Sequence, residues 1–310
     1  MNEQSLLKLS IGLTVMMAAF GIIIGFTSGS AAIMFDGVYA LTDAFMTVIA
    51  LLVARLITAS AAPSPASGQK SKFMDRFSVG FWHLEPMVLG LNGSLLMGAA
   101  GVALVGAISS ILDGGRVVDF GPAMIFASVA TVVALSAGFF LRRANGEVKS
   151  GFVDLDAKAW FMTAGLTAAL LVAFLLGYAI EGTQFAWLSP YVDPAVLALA
   201  CVFILPTPIA NVRQAVADIL LVAPTELRDG VEVIAREIVA KYGFTAHRAY
   251  VAKVGRAKQI ELFFIAPKTL PAKSLSEWDA IRDEIGARIG DEGPDRWLTI
   301  VFTADQEWAD

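Results

Sequence analysis

Long apolar runs separated by short polar connections fill the first 210 or so residues. Six of them reach the roughly 20 residues a helix needs to cross a bilayer. They are Leu6–Thr27, Ala31–Ile57, Met87–Leu112, Gly121–Leu141, Val153–Ile180 and Pro194–Ala210. Small residues recur inside them, as at Gly90, Gly93, Gly98, Gly101 and Gly106 of the third, and let membrane helices approach closely. The stretch Ala59–Lys72 is rich in Pro, Ser and Gly and reads as a connector. From about residue 213 the pattern changes: charges become frequent and no further run is long enough to span. Thr225–Tyr242 carries apolar residues at helical spacing and stops at Gly243. Ala249–Val254 and Gln259–Ala266 read as strands joined by a turn over Gly255–Lys258. Ser274 and Glu277 form a capping box ahead of a helix to about Ile289, and Trp297–Thr303 is a last strand.

The predicted fold class is therefore membrane α-helical. Six transmembrane helices, residues 1–213, precede a small α+β domain of order α-β-β-α-β, ferredoxin-like, over residues 214–310. Composition supports this, because 56% of the chain is hydrophobic and 16% charged, against about 25% charged in soluble domains. A net charge of -5 speaks against a nucleic-acid partner. The single cysteine, Cys201, lies in an apolar run, which excludes an intrachain disulfide and a thiolate metal cluster and leaves a small core residue. The N-terminus lacks the basic flank and cleavage site of a secretory signal, so its apolar run is expected to be a retained span.

Basic residues concentrate in alternate connections. Lys70, Lys72 and Arg76 lie between spans two and three, and Arg142, Arg143 and Lys149 between spans four and five. The other connections hold only Arg116, beside Asp113 and Asp119, or no base at all. Basic loops face the cytoplasm, which places both termini there.

The second run contains the most informative pattern. Asp36, Tyr39 and Asp43 follow at offsets of three and seven, on one helical face. A carboxylate near a bilayer centre costs about 2.5–3.5 kcal/mol on insertion scales, so two on one face point to an ion or proton path within a bundle. Competing structural roles exist for several acids. Asp36 and Asp156 suit helix N-termini, Asp154 is spaced to pair with Lys158, and Glu85 is placed to pair with Arg76 or His83. No nucleophile-base constellation or phosphate-binding glycine loop occurs, which argues against an enzyme.

Three local patterns resemble the cation diffusion facilitator family of metal-ion/proton antiporters. Ser30-Ala-Ala-Ile-Met-Phe-Asp36-Gly-Val-Tyr39-Ala-Leu-Thr42-Asp43 resembles its second-span motif. Gly80-Phe-Trp-His-Leu-Glu85 followed by Asn92-Gly93 resembles the opening of its third span, and Asp218-Ile-Leu-Leu-Val-Ala-Pro224 its junction into the cytoplasmic domain. The resemblance implies an ion held between spans two and five, two ligands from each, four residues apart. Carried over, these positions are Tyr39 and Asp43, then Ala159 and Thr163, reached from Asp156 by three and seven. Ala159 has no donor, and no histidine is near: the chain has two, His83 and His247. Zinc favours imidazole, whereas a site of oxygens suits Mn²⁺, Fe²⁺, Mg²⁺ or Ca²⁺ better.

The expected site is Asp43 with Asp156 as ligands and with Tyr39, Thr163 and Asp36 as auxiliary groups, Asp36 on the release side or in proton coupling. The expected activity is export of a divalent cation, one of Mn, Fe, Zn, Co, Mg or Ca, in exchange for protons by alternating access. No prosthetic group is expected. The partners implied are the cation, protons, the lipid bilayer and a second copy in a homodimer, in a bacterial inner membrane. The alternative is a non-transporting relative that serves as a dimerising or regulatory membrane partner. In the family's cytoplasmic domain a terminal histidine often binds metal. Here Asp305, Glu307 and His247 remain as weak substitutes.

Overall fold

The computed structural model describes residues 3–61, 80–148, 151–293 and 295–309. The connector and its bases Lys70, Lys72 and Arg76, together with Lys149, lie outside these residues. Five long helices come first: α1 Glu3–Ser28, α2 Ala31–Ala61, α3 Leu84–Leu112, α4 Phe120–Val148 and α5 Gly151–Ile180. A 3-10 turn over Ala186–Tyr191 leads into α6, Val192–Ile204, and α7, Pro206–Ile219. Among the described residues six stretches are long and apolar enough to span a membrane, the sixth running over Ala186–Ile219. This sixth span is longer than its sequence pattern suggests and is interrupted at Leu205. The cause is chemical: Pro206 and Pro208 have no N–H to donate to the preceding turn.

The chain packs as two units, residues 1–49 with 91–211 and residues 50–90 with 212–310. In the first, α4 and α5 pack along each other, α1 lies against both, and α6 against α5. Phe126, Phe174, Ile33 and Cys201 are at the centre of its core, Cys201 as a buried small residue. The outward surface is apolar: Phe26 is 81% exposed, Val102 76% and Met162 72%. Such side chains would be a liability in water and are at home among acyl chains.

Two features fix α2 in this unit. A Cβ on Gly37 would stand 2.7 Å from the Ala18 carbonyl oxygen of α1, and one on Gly25 would stand 2.5 Å from the Met34 nitrogen. The two backbones touch because these residues lack side chains. The second feature is polar. Asp193 of α6 is 1% exposed, and its carboxylate accepts from the Ser30 hydroxyl at 2.5 Å. It also accepts from the Ala31 and Ala32 backbone N–H groups at 3.0 and 3.2 Å. Ser30 itself caps the helix, accepting the Ile33 N–H at 3.2 Å. The first donors of α2, which no helical carbonyl can reach, are thus met by a carboxylate from another span.

The second unit holds the end of α2, the start of α3 and the C-terminal domain, α8 Thr225–Tyr242, β1 Ala246–Val254, β2 Ala257–Ile265, α9 Leu275–Ile289 and β3 Arg296–Thr303. The predicted order holds, and the turn tightens to Gly255–Arg256, with Gly255 at φ 60. Strand β2 is central, antiparallel to β1 and parallel to β3. Parallel pairing needs a crossover, which α9 supplies, and its start is the expected Ser274–Glu277 capping box. One sheet face buries Ile260, Leu262 and Phe264 against Val231, Ile238 and Ile285 of the helices. Each such side chain contributes about 1.5–3 kcal/mol on leaving water, so this face carries most of the domain's stability.

Two expected outcomes follow from these contacts. Asp193→Ala leaves the Ser30 hydroxyl and two α2 N–H groups without their acceptor, and should lower the unfolding free energy of the detergent-purified protein by about 3 kcal/mol. Asp193→Asn, which keeps a side-chain acceptor, should lose less. In the C-terminal domain, Glu284 accepts from Lys241 Nζ at 2.7 Å and Tyr242 Oη at 2.6 Å. These bonds hold its carboxyl below the ordinary 4.5. A depressed folded value adds stability above the unfolded value and loses it as pH falls through the folded one. Amide protection of α8 and α9 should therefore be weaker in Glu284→Gln than in wild type at pH 7. Measured at matched pH, the difference should close only as the pH falls through the depressed folded value of the Glu284 carboxyl.

Candidate cation site

The α2 stripe survives in three dimensions. Tyr39 packs its ring on Phe35 with centroids 5.5 Å apart, and its hydroxyl lies within the field of the Asp43 carboxylate. Asp36 is half-buried one turn before Tyr39. Asp43 is exposed, although it lies near the middle of the Ala31–Ala59 span. A carboxylate at that depth is found facing water or protein rather than acyl chains.

Asp43 meets α3. Asn92 Nδ2 donates to Asp43 Oδ1 at 3.3 Å. The other end of that amide, Asn92 Oδ1, is buried with no hydrogen-bond partner. An unmet buried carbonyl costs about 1–3 kcal/mol. Sequence reasoning took Asn92 only as part of a motif. The signal that could have found it is the one amide side chain in α3, a helix otherwise rich in Gly, Ala and aliphatic residues with a few serines.

Asp156 meets α1. Ser10 hydrogen-bonds to its carboxylate, and Trp160 Nε1 donates to Ser10 Oγ at 2.7 Å. Asp156 Oδ2 is buried without a partner. Thr163 donates its hydroxyl back to the Ala159 carbonyl at 3.1 Å, and Thr167, one turn on, meets Thr131 of α4 at 3.1 Å. Asp154 pairs with Lys158 at 2.7 Å, as their spacing suggests. The structure therefore seats Asp43 and Tyr39 together and gives Asp156 a separate polar setting on α1. Among the described residues no three His, Cys, Asp or Glu side chains group closely enough to hold a metal ion.

Other charged candidates have local partners. Glu85 accepts from Arg256 Nε at 2.8 Å, within the second unit, and Arg76 lies outside the described residues. His247 Nε2 lies 3.1 Å from Glu232, while Asp305 accepts the Glu307 N–H in the C-terminal turn. A cavity of about 440 Å³ opens beside Phe35, Val38, Val102 and Leu197. Its walls are mostly apolar, and the one carboxylate there, Asp193, is already engaged by three donors. It offers no place for a cation.

Residues 7–220 match the family described as the cation efflux transmembrane domain, which is more than two thirds of the chain. No curated protein gives a significant match. The matched segment contains α2, α3 and α5 and so every residue of the candidate site.

The Ser10 relay supplies a stability test. Trp160→Phe removes the donor to Ser10 along with part of a buried ring, and the lost hydrogen bond by itself should cost about 1 kcal/mol. Ser10→Ala strips a partner from both Trp160 and Asp156 and should cost roughly twice that, read by thermal unfolding of the purified protein.

Proposed function

The chain belongs to the cation efflux family, whose members transport metal cations and are not enzymes, and we propose that it exports a divalent cation in exchange for protons by alternating access. The observation that carries this reading is the open Asp43 carboxylate in mid-span, with Tyr39 beside it. Asp43 takes the cation. Asp156 is the second carboxylate of the path, and its unpartnered Oδ2 is the atom that receives either the ion or a proton. Asp36 acts nearer the start of α2 in release or proton coupling, and the Tyr39 and Thr163 hydroxyls are auxiliary oxygens. Because carboxylate oxygens bind a proton or a metal ion but not both at once, loading one species expels the other. All the proposed donors are oxygen, which favours Mn²⁺, Fe²⁺, Mg²⁺ or Ca²⁺ over Zn²⁺.

The Arg142–Arg143 pair at the end of α4 supports a cytoplasmic location for the α4–α5 connection, and with it both termini. We place the protein in a bacterial inner membrane as a homodimer. One observation favours a second reading, a non-transporting partner with the same fold: no group of three metal-binding side chains occurs among the described residues.

Reconstitution in liposomes separates the two. Under a proton gradient, Mn²⁺, Fe²⁺, Co²⁺, Zn²⁺, Mg²⁺ and Ca²⁺ are offered in turn to wild type, Asp43→Ala and Asp156→Ala. Flux of at least one ion is expected, falling to background in both variants. Unchanged flux in either variant removes that residue from the site. No flux of any ion through folded protein establishes the non-transporting reading.

A further inference from the structure

Building on the assignment of Asp43 to the cation, we propose that Asn92 of α3 is a ligand of the same ion, through its side-chain carbonyl oxygen. Three features of the pair lead there. The Asn92–Asp43 contact, 3.3 Å, is long for a hydrogen bond to a carboxylate, which usually closes to about 2.7–2.9 Å. The amide oxygen is buried and unpartnered although the neighbouring backbone is helical and has no donor to spare. Finally, Asp43 is exposed, so space beside the pair is open to an ion.

The chemistry of an amide accounts for all three. Its N–H₂ and C=O ends exchange places by a half-turn about the terminal torsion. In the orientation observed, the N–H end donates to Asp43. With an ion present, the half-turn presents the carbonyl, and Asp43 and Asn92 hold the ion from α2 and α3 together. Neutral carbonyl oxygens are ordinary ligands of hard cations. Asn92 thus raises the oxygen count of the site without adding a charge that the proton half of the cycle would have to neutralise. The α3 helix becomes part of the binding machinery and not only packing.

The test is Mn²⁺ binding to full-length detergent-purified protein, read from the electron paramagnetic resonance signal of free Mn²⁺, with Mg²⁺, Ca²⁺, Co²⁺ and Zn²⁺ as competitors. Wild type, Asn92→Ala, Asn92→Asp and Asp43→Ala are compared, each checked for an unchanged melting temperature and elution volume. Asn92→Ala should weaken Mn²⁺ binding about tenfold or more. Asn92→Asp should bind as tightly as wild type or tighter, because it keeps an oxygen ligand while losing the N–H donor. Weaker Mn²⁺ binding in Asn92→Asp than in Asn92→Ala overturns the proposal, because a ligand position should tolerate an oxygen donor better than none. It falls too if Asn92→Ala binds like wild type while Asp43→Ala does not; the Asp43 assignment then stands alone. If Asp43→Ala also binds like wild type, or wild type binds none of the five ions, the underlying cation site is wrong and Asn92 goes with it.

Discussion

The carboxylate of Asp193 is the constraint on which the geometry of the membrane unit depends. It is buried on α6, yet its partners are the hydroxyl of Ser30 and the first two backbone N–H groups of α2. A helix N-terminus carries about half a positive charge, and in a membrane it has few other anions to meet. The bond therefore fixes where α2 begins. Once the first turn is fixed, helical geometry fixes the rotation and depth of everything after it. Asp36, Tyr39 and Asp43 follow Ser30 at set angles, so the same interaction that satisfies the helix end also aims the functional face. The glycine contact with α1 completes the restraint, because at Gly25 and Gly37 there is no side chain to let the helices slide apart.

Polar groups inside the membrane unit fall into two kinds. Some are fully met, as Asp193 is by three donors. These hold structure. Others keep an oxygen in reserve. Asn92 Oδ1 and Asp156 Oδ2 are the two buried side-chain oxygens without a partner among the described residues. An orphan oxygen is costly in a low-dielectric interior, and a fold retains such an atom where something other than the fold uses it. The two reserves lie on α3 and α5, and each belongs to a small cluster anchored on a further helix, Asp43 of α2 in one case and Ser10 of α1 in the other.

Much of this was legible in the amino-acid sequence because hydropathy and capping are local. The six spans, the α-β-β-α-β order and the Ser274–Glu277 box all depend on residues within one or two turns of each other. Boundaries moved where proline or a long apolar run blurred the edge, as at Leu205–Pro206 in the sixth span. The roles of Asp193 and Asn92 were not legible. Asp193 acts on residues 163 positions away, and Asn92 on one 49 positions away. Nothing in the local pattern of either residue announces its partner. Asp156 shows the same gap from the other side. Its spacing to Ala159 and Thr163 suggested a neighbour on α2, while its observed hydrogen bond goes to Ser10, a residue no motif had marked.

That contrast bears on the proposed exchange of a cation for protons. If Asp43 and Asp156 shared one enclosed cage, an ion would be held strongly and released slowly. Separate settings avoid this. Asp43, exposed beside Asn92 and Tyr39, presents a site of low charge that an ion can enter and leave. Asp156, hydrogen-bonded by Ser10, keeps one carboxylate oxygen without a partner. Water reaches a bare buried oxygen poorly, so a bound proton or a cation is the partner that offsets its desolvation. In the proposed cycle, a weakly charged entry site and a separate carboxylate that must carry something divide the labour, and they need fewer ligands than a rigid metal cage.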